Sequence, residues 1–162
     1  MITTRDQIEV YQLSNSGNYI TQSNDATYTS SLSIVGANGI DALNMGPTLL
    51  TDNMDLGGDG NDVLILGGAG NDVLLGGVDD DWLRGGTGDD NLVGGSGTND
   101  TADFSDATTS VTVSLTNGAG TASAPGSTGT DQLSGIENLI GGSAGDIMSG
   151  DVANNIIAGG DG

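Results

Sequence analysis

Apolar residues in the middle of this chain recur every nine or ten positions. Leu64, Leu74, Leu83 and Leu92 each follow the same run, Gly-Gly-x-Gly-x-Asp-x, or a near copy of it. The units begin at Gly57, Gly67, Gly76, Gly85 and Gly94. They read GGDGNDVLIL, GGAGNDVLL, GGVDDDWLR, GGTGDDNLV and GGSGTNDTA. The six residues from the first glycine to the aspartate predict a turn, and the next three a very short strand. The middle strand residue, position 8 of the unit, faces inward. Positions 7 and 9 face outward and tolerate almost anything, as Asn91 and Arg84 show. Two units make one coil with two opposite strands, so each turn lies over the turn two units earlier. The prediction is an all-β solenoid of stacked, parallel strands.

The period also divides the chain. Residues 1–35 are rich in Ser, Thr, Asn and Gln, and scattered apolar residues (Ile8, Val10, Tyr11, Leu13, Leu32, Ile34, Val35) predict a β-rich cap or linker. Residues 36–100 form a first repeat array, opened by a weaker copy, GANGIDALN, with Asp41 in the aspartate slot. Residues 101–140 break the period and are expected to continue the solenoid as an irregular β insert. There Val111, Val113 and Leu115 alternate with Thr112 and Ser114, which predicts one longer half-buried strand, with Phe104 as an inward anchor. A weak copy, GSTGTDQLS, places Asp131 in the aspartate slot. Residues 141–162 are a second, truncated array: GGSAGDIMS, GDVANNIIA and GGDG.

Composition turns this pattern into chemistry. Of 162 residues, 22 are acidic and 2 basic, a net charge of −20. Such a surface repels nucleic acid and anionic membrane, and neither is expected as a partner. Only Glu9 and Glu137 are glutamates; the rest are aspartates, which suit turns and hard-cation sites. With no Cys and no His, disulfides, zinc fingers, thiol nucleophiles and imidazole bases are excluded. Carboxylate pairs abound, but nothing places them in a cleft, so no enzyme is expected. The GGSAG run at 141–145 matches a nucleophile elbow only by falling inside a repeat. No apolar run approaches a membrane span. Residues 1–10, with Arg5, Asp6 and Glu9, hold no apolar core of a signal peptide, so export by another signal or a larger parent chain is expected. Stacked turns bring aspartates and backbone carbonyls of successive coils around one point. That mixed oxygen shell suits Ca²⁺, which takes six to eight oxygen ligands. Several such ions are expected.

The GGxGxD units resemble the RTX, or haemolysin-type, calcium-binding nonapeptides. The likeness covers residues 57–162 well and 36–44 weakly, and the stretch TADFSDATTSVTVSLTNG to GTDQLSGIENLIGG is similar to segments that join such arrays in secreted bacterial proteins. It implies a right-handed parallel β-roll with Ca²⁺ between stacked turns. It also implies a ligand scheme. One turn supplies the carbonyls of positions 2 and 4 and its aspartate; the turn two units later supplies the carbonyls of positions 1 and 3 and its own. One ion would then sit among Gly58, Gly60, Asp62, Gly76, Val78 and Asp81. A second would sit among Gly68, Gly70, Asp72, Gly85, Thr87 and Asp90, and a third among Gly77, Asp79, Asp81, Gly94, Ser96 and Asp100. Asp146 is the best candidate of the last array, where Asn155 replaces an aspartate. Asp41 and Asp131 are balanced between ligand and turn former. Asp59, Asp80 and Asp89 fall in variable slots and are expected to face solvent, as is Trp82. The function implied is a secreted or cell-surface calcium-binding module that folds on Ca²⁺ and supports a larger protein. The alternative is a structural protein that assembles head to tail into a surface layer, filament or adhesin.

Overall fold

A computed structural model describes residues 65–162 and, upstream, the backbone of five short strands. These are β1 (Tyr11–Gln12), β2 (Tyr19–Thr21), β3 (Ser33–Val35), β4 (Ala42–Asn44) and β5 (Asn53–Asp55). The repeats supply β6 (Ile65–Ala69), β7 (Val73–Gly77), β8 (Trp82–Thr87), β9 (Asn91–Gly95) and β10 (Thr101–Asp103). Beyond them lie β11 (Thr112–Ser114), β12 (Gly120–Ala124), β13 (Gly129–Ser134), β14 (Asn138–Ile140), β15 (Ile147–Ser149) and β16 (Ile157–Ala158). Among the described residues there is no helix, hence none long and apolar enough to cross a membrane.

The strands alternate between two sheets. One runs β1-β3-β5-β7-β9-β13-β12-β11-β15, the other β16-β14-β10-β8-β6-β4-β2. Within the repeats, each strand pairs in parallel with the one two units away, so Gly68 aligns with Gly86 and Leu74 with Leu92. The extra residue before Asp100 moves the next pairing by one, and Ala102 aligns with Leu83. Inward positions of the two sheets meet in a narrow seam of small and medium side chains. Leu74, Leu83, Leu92, Ala102, Leu133, Ile136 and Leu139 are buried, while Trp82, Asn91 and Gln132 beside them are exposed.

The insert departs from the parallel expectation. Chain entering at β11 returns through β12 and reaches the β9 edge only at β13, so β11, β12 and β13 form an antiparallel meander. The nine-stranded sheet is therefore mixed. Phe104 is buried as expected, and Val111, Val113 and Leu115 point inward between exposed Thr112 and Ser114. Small buried Ala122 and Ala124 let the extra strand fit without widening the core. Leu133 then aligns with Leu92 and Leu139 with Ala102, which restores the column beyond the insert.

Candidate metal centre

The turn pattern follows from backbone geometry. Position 2 is left-handed at Gly68, Gly77, Gly86 and Gly95, and position 4 at Gly70 and Gly88, conformations that disfavour any β-carbon. Asp79 occupies the position-4 slot with φ 75°. The glycine at position 1 answers a different need, close approach. A β-carbon on Gly67 would run into Gly85 O and lie 2.7 Å from Asp72 Oδ2. On Gly76 it would meet Gly94 O and Asp81 Oδ2; on Gly85, Asp90 Oδ2; on Gly94, Gly135 O and, at 2.7 Å, Asp100 Oδ2. At three of these four position-1 glycines, a carboxylate oxygen and a carbonyl of the next coil therefore converge where a side chain would otherwise be.

Two ladders of aspartates run along the stack. On one side Asp72 N–H donates to Asp90 Oδ1 (2.8 Å), and Asp90 N–H to Asp131 Oδ1 (2.9 Å). On the other, Asp81 N–H donates to Asp100 Oδ1 (2.8 Å), and Asp100 N–H to Glu137 Oε2 (3.0 Å). All five aspartates are buried. One oxygen of each of Asp90, Asp100 and Asp131 is thus committed to the backbone of the preceding coil. The second oxygen of Asp90 and of Asp100 is buried with no hydrogen-bond partner. An unsatisfied buried charged group costs upward of about 1–3 kcal/mol. Burial accordingly pushes the Asp90 and Asp100 carboxyls up to about 6, against the Asp72 N–H at Asp90 and the Asp81 and Gly97 N–H groups at Asp100. Nearby carboxylates add to the rise, Asp89 and Asp106 for Asp90, Glu137 and Asp80 for Asp100. Burial pushes Asp131 further, to about 8, helped by Asp90, Asp89 and Asp106. A divalent cation reverses this penalty, because the ion favours the charged form. Among the described residues no three carboxylates converge, so a shell here draws on carbonyls plus paired aspartates.

The second expected ligand set comes together. The carbonyls of Gly68 and Gly70 approach Gly86 and Gly88 of the next coil, Gly85 O lies by Asp72 Oδ2, and Asp90 caps Asp72. Thr87 O also accepts the Gly70 N–H (2.8 Å), leaving one lone pair for an ion. The third set comes together likewise. Gly77 O accepts the Ser96 N–H (2.8 Å), Asp79 O approaches Gly97, and Gly94 O lies by Asp81 Oδ2. In the first set, Gly58, Gly60 and Asp62 lie outside the described residues, as do Asp41, Asp59 and Leu64; of its members Gly76, Val78 and Asp81 are described, with the Val78 side chain exposed. Asp131 continues the Asp72–Asp90 ladder. Asp146 accepts N–H bonds on both oxygens, from Val111 and Gly142 (2.8 Å each). Asn155 is closed by hydrogen bonds: its Oδ1 accepts the Asp151 N–H, and its Nδ2 donates to Glu137 O.

Position 5 does more than expected. Asp89 is exposed and Asp80 lies near the surface, yet each ties its turn to the next coil. Asp80 Oδ1 accepts the N–H groups of Thr98 (3.0 Å) and Asn99 (3.1 Å), and the Thr98 N–H first of all holds its carboxyl below the usual range. Asn71 Oδ1 accepts the Asp89 N–H (3.0 Å), and Asp89 Oδ1 that of Thr130 (2.9 Å). The signal was present, since Asn or Asp stands immediately before the aspartate in each unit: Asn61, Asn71, Asp80, Asp89 and, one position later in its longer turn, Asn99. Trp82 is exposed as expected, but its indole N–H donates to Asp103 Oδ2 (2.8 Å), which also pairs with Arg84. Burial opposes the Asp103 charge, and the Ser105 N–H, Arg84 and Trp82 outweigh it, holding that carboxyl below its ordinary value.

Neither the curated proteins nor the solved structures yield a match to this chain. A family model does match, over the turns just described. Residues 66–100 match the RTX calcium-binding nonapeptide repeat, in four copies.

Proposed function

We propose that this chain is an extracellular calcium-binding module, a right-handed parallel β-roll interrupted by one antiparallel excursion, that folds as Ca²⁺ binds and so supports the folding and stability of a secreted bacterial protein. The observation that carries this reading is the pair of buried, unpartnered oxygens, Asp90 Oδ2 and Asp100 Oδ2, in a stack of turns matching a calcium-binding family. Without metal, the net charge of −20 and the buried aspartates oppose a core built mostly of Leu, Val, Ile and Ala. Between coils, Asp72 with Asp90, Asp81 with Asp100, and Asp90 with Asp131 would hold ions, together with the carbonyls of Gly68, Gly70 and Gly85 in the first case and of Gly77, Asp79 and Gly94 in the second. Each ion supplies two positive charges and joins two coils, so its binding free energy becomes folding free energy. At a free concentration one hundred times Kd, one ion adds about 2.7 kcal/mol. Extracellular modules have Kd values of about 10⁻⁴–10⁻³ M, which leaves the metal-free state favoured wherever free calcium is scarce. No catalysis is assigned to the carboxylates.

A circular dichroism titration tests the reading. Chelator should give an unfolded spectrum and millimolar Ca²⁺ a strand spectrum. A chain fully folded in excess chelator refutes it. A second reading, assembly with other copies, is favoured by one observation: Ile147, Val152, Ile156 and Ile157 are all exposed around β15 and β16. Calcium-dependent growth in light scattering would support assembly, and a monomer at millimolar Ca²⁺ would reject it.

A further inference from the structure

Past the repeats, the chain crosses between sheets by a shorter path. From β9 to β10 the connection is residues 96–100; from β13 to β14 it is only residues 135–137. Yet β13 stacks on β9, Leu133 against Leu92, and β14 stacks on β10, Leu139 against Ala102. The short loop therefore lies directly over the turn that ends in Asp100.

Its contacts repeat those of a nonapeptide turn. Gly135 O approaches Gly94 as Gly94 O approaches Gly76 and Gly85 O approaches Gly67. Glu137 Oε2 accepts the Asp100 N–H (3.0 Å) as Asp100 Oδ1 accepts the Asp81 N–H (2.8 Å). The extra methylene of glutamate lets a loop two residues shorter bring a carboxylate to the same rung. Asp100 is 0 % exposed, and its Oδ2 has no hydrogen-bond partner. That oxygen lies at Gly94, beside Gly135 O, and also at Gly97, where Asp79 O of the earlier turn approaches. It is therefore open to the gap between the last repeat and the short loop as well as to the turn before.

We propose that Asp100, Glu137 and the Gly135 carbonyl form a further Ca²⁺ site, which continues the ladder onto a loop that contains no nonapeptide. The proposal rests on the calcium reading above. It also places the end of this ladder. On the next coil Asn155 stands in the aspartate slot, and its amide donates to Glu137 O where a cation would need an acceptor. The rungs run Asp81, Asp100, Glu137, and close at Asn155.

The competing role for Glu137 is that of a cap for the Asp100 N–H. Glu137→Gln keeps the acceptor and removes the charge, so it separates the two roles. Bound Ca²⁺ is counted on the full chain and on the variant by equilibrium dialysis, with circular dichroism to follow folding. The site predicts one ion fewer in the variant; equal counts and equal affinities overturn it and leave the cap. Wild-type chain that binds no Ca²⁺ at all overturns the functional reading and this site together. Should the variant not fold, a crystal of the wild-type chain grown with Ca²⁺ decides. Density within about 2.3–2.6 Å of Asp100 Oδ2 and the Glu137 carboxylate supports the site. Occupied repeats with nothing at that point overturn it.

Discussion

Asp131→Asn should push the metal-free and the calcium-loaded protein in opposite directions. Asp131 is buried, and its Oδ1 accepts the Asp90 N–H at 2.9 Å. Asparagine keeps that acceptor and the side-chain volume while removing the charge. Burial and three neighbouring carboxylates raise the Asp131 carboxyl from an ordinary 3.8 to about 8. A group raised in the folded state favours folding below its unfolded value, and that contribution disappears as pH rises to the folded value. At pH 7 the ionised form is thus opposed across most of that interval, at most about 4 kcal/mol at 1.36 kcal/mol per unit. The metal-free variant gains up to this amount. The loaded variant has lost a carboxylate between two coils, and its Ca²⁺ affinity falls by at least the roughly ten- to hundredfold that loss of an outer-shell partner costs. Urea titrations at pH 7, in chelator and in millimolar Ca²⁺, read both effects by circular dichroism. An excluded osmolyte brings the metal-free fold into range. A variant that is less stable in chelator, or that keeps the wild-type response to Ca²⁺, refutes the reasoning.

Three further outcomes follow from the same geometry. Gly85→Ala sets a β-carbon against Asp90 Oδ2, Cγ and Cβ, so calcium-dependent folding should shift to at least tenfold higher Ca²⁺ in a dichroism titration, whereas alanine at exposed Asn91 should leave the midpoint in place. Asp79→Gly relieves a non-glycine residue at φ 75° and removes one negative charge; thermal melts should show the Ca²⁺-loaded protein more stable by about 1 kcal/mol. Acidifying the metal-free chain from pH 8 toward pH 4 should increase its strand signal, because Asp90, Asp100 and Asp131 are all raised in the folded state; a signal that falls over that window contradicts the assignment of buried carboxylates.

Much of the site could be read from glycine and aspartate spacing, because both residues answer to local geometry. The position-2 and position-4 glycines are set by backbone angles, and the position-1 glycines by a carboxylate of their own turn. The inward leucines at 74, 83 and 92 follow from alternation in strands a few residues long. What escaped depends on distance along the chain. Asp131 stood in the aspartate slot of a weak copy, but its partner did not show, because it reaches Asp90 across 41 residues, through a meander whose middle strand, GTASA, has no large apolar residue to announce it. Glu137 escaped because a three-residue loop replaces a turn, and no periodicity survives that change of length. Position 5 escaped for another reason: its side chains lie at the surface, where an acid or amide looks like solvated polarity until the next coil is placed above it.

The two oxygens of one carboxylate differ in their bonding, and under the proposed calcium binding this division would make the stack cooperative. At Asp90 and Asp100, Oδ1 holds the backbone of the coil before, while Oδ2 is buried with no hydrogen-bond partner. An ion in one gap fixes a carboxylate whose other oxygen shapes the preceding rung. If the proposed ions bind, coils would not order independently, because the acceptor for one coil's N–H would also be a metal ligand. Proton binding acts on the same atoms in the opposite sense: a neutral Asp131 relieves repulsion but cannot bridge two coils. On the proposed reading, calcium would therefore do more than neutralise charge. It would make the ionised carboxylate, a costly buried group in the metal-free fold, the group that joins successive turns.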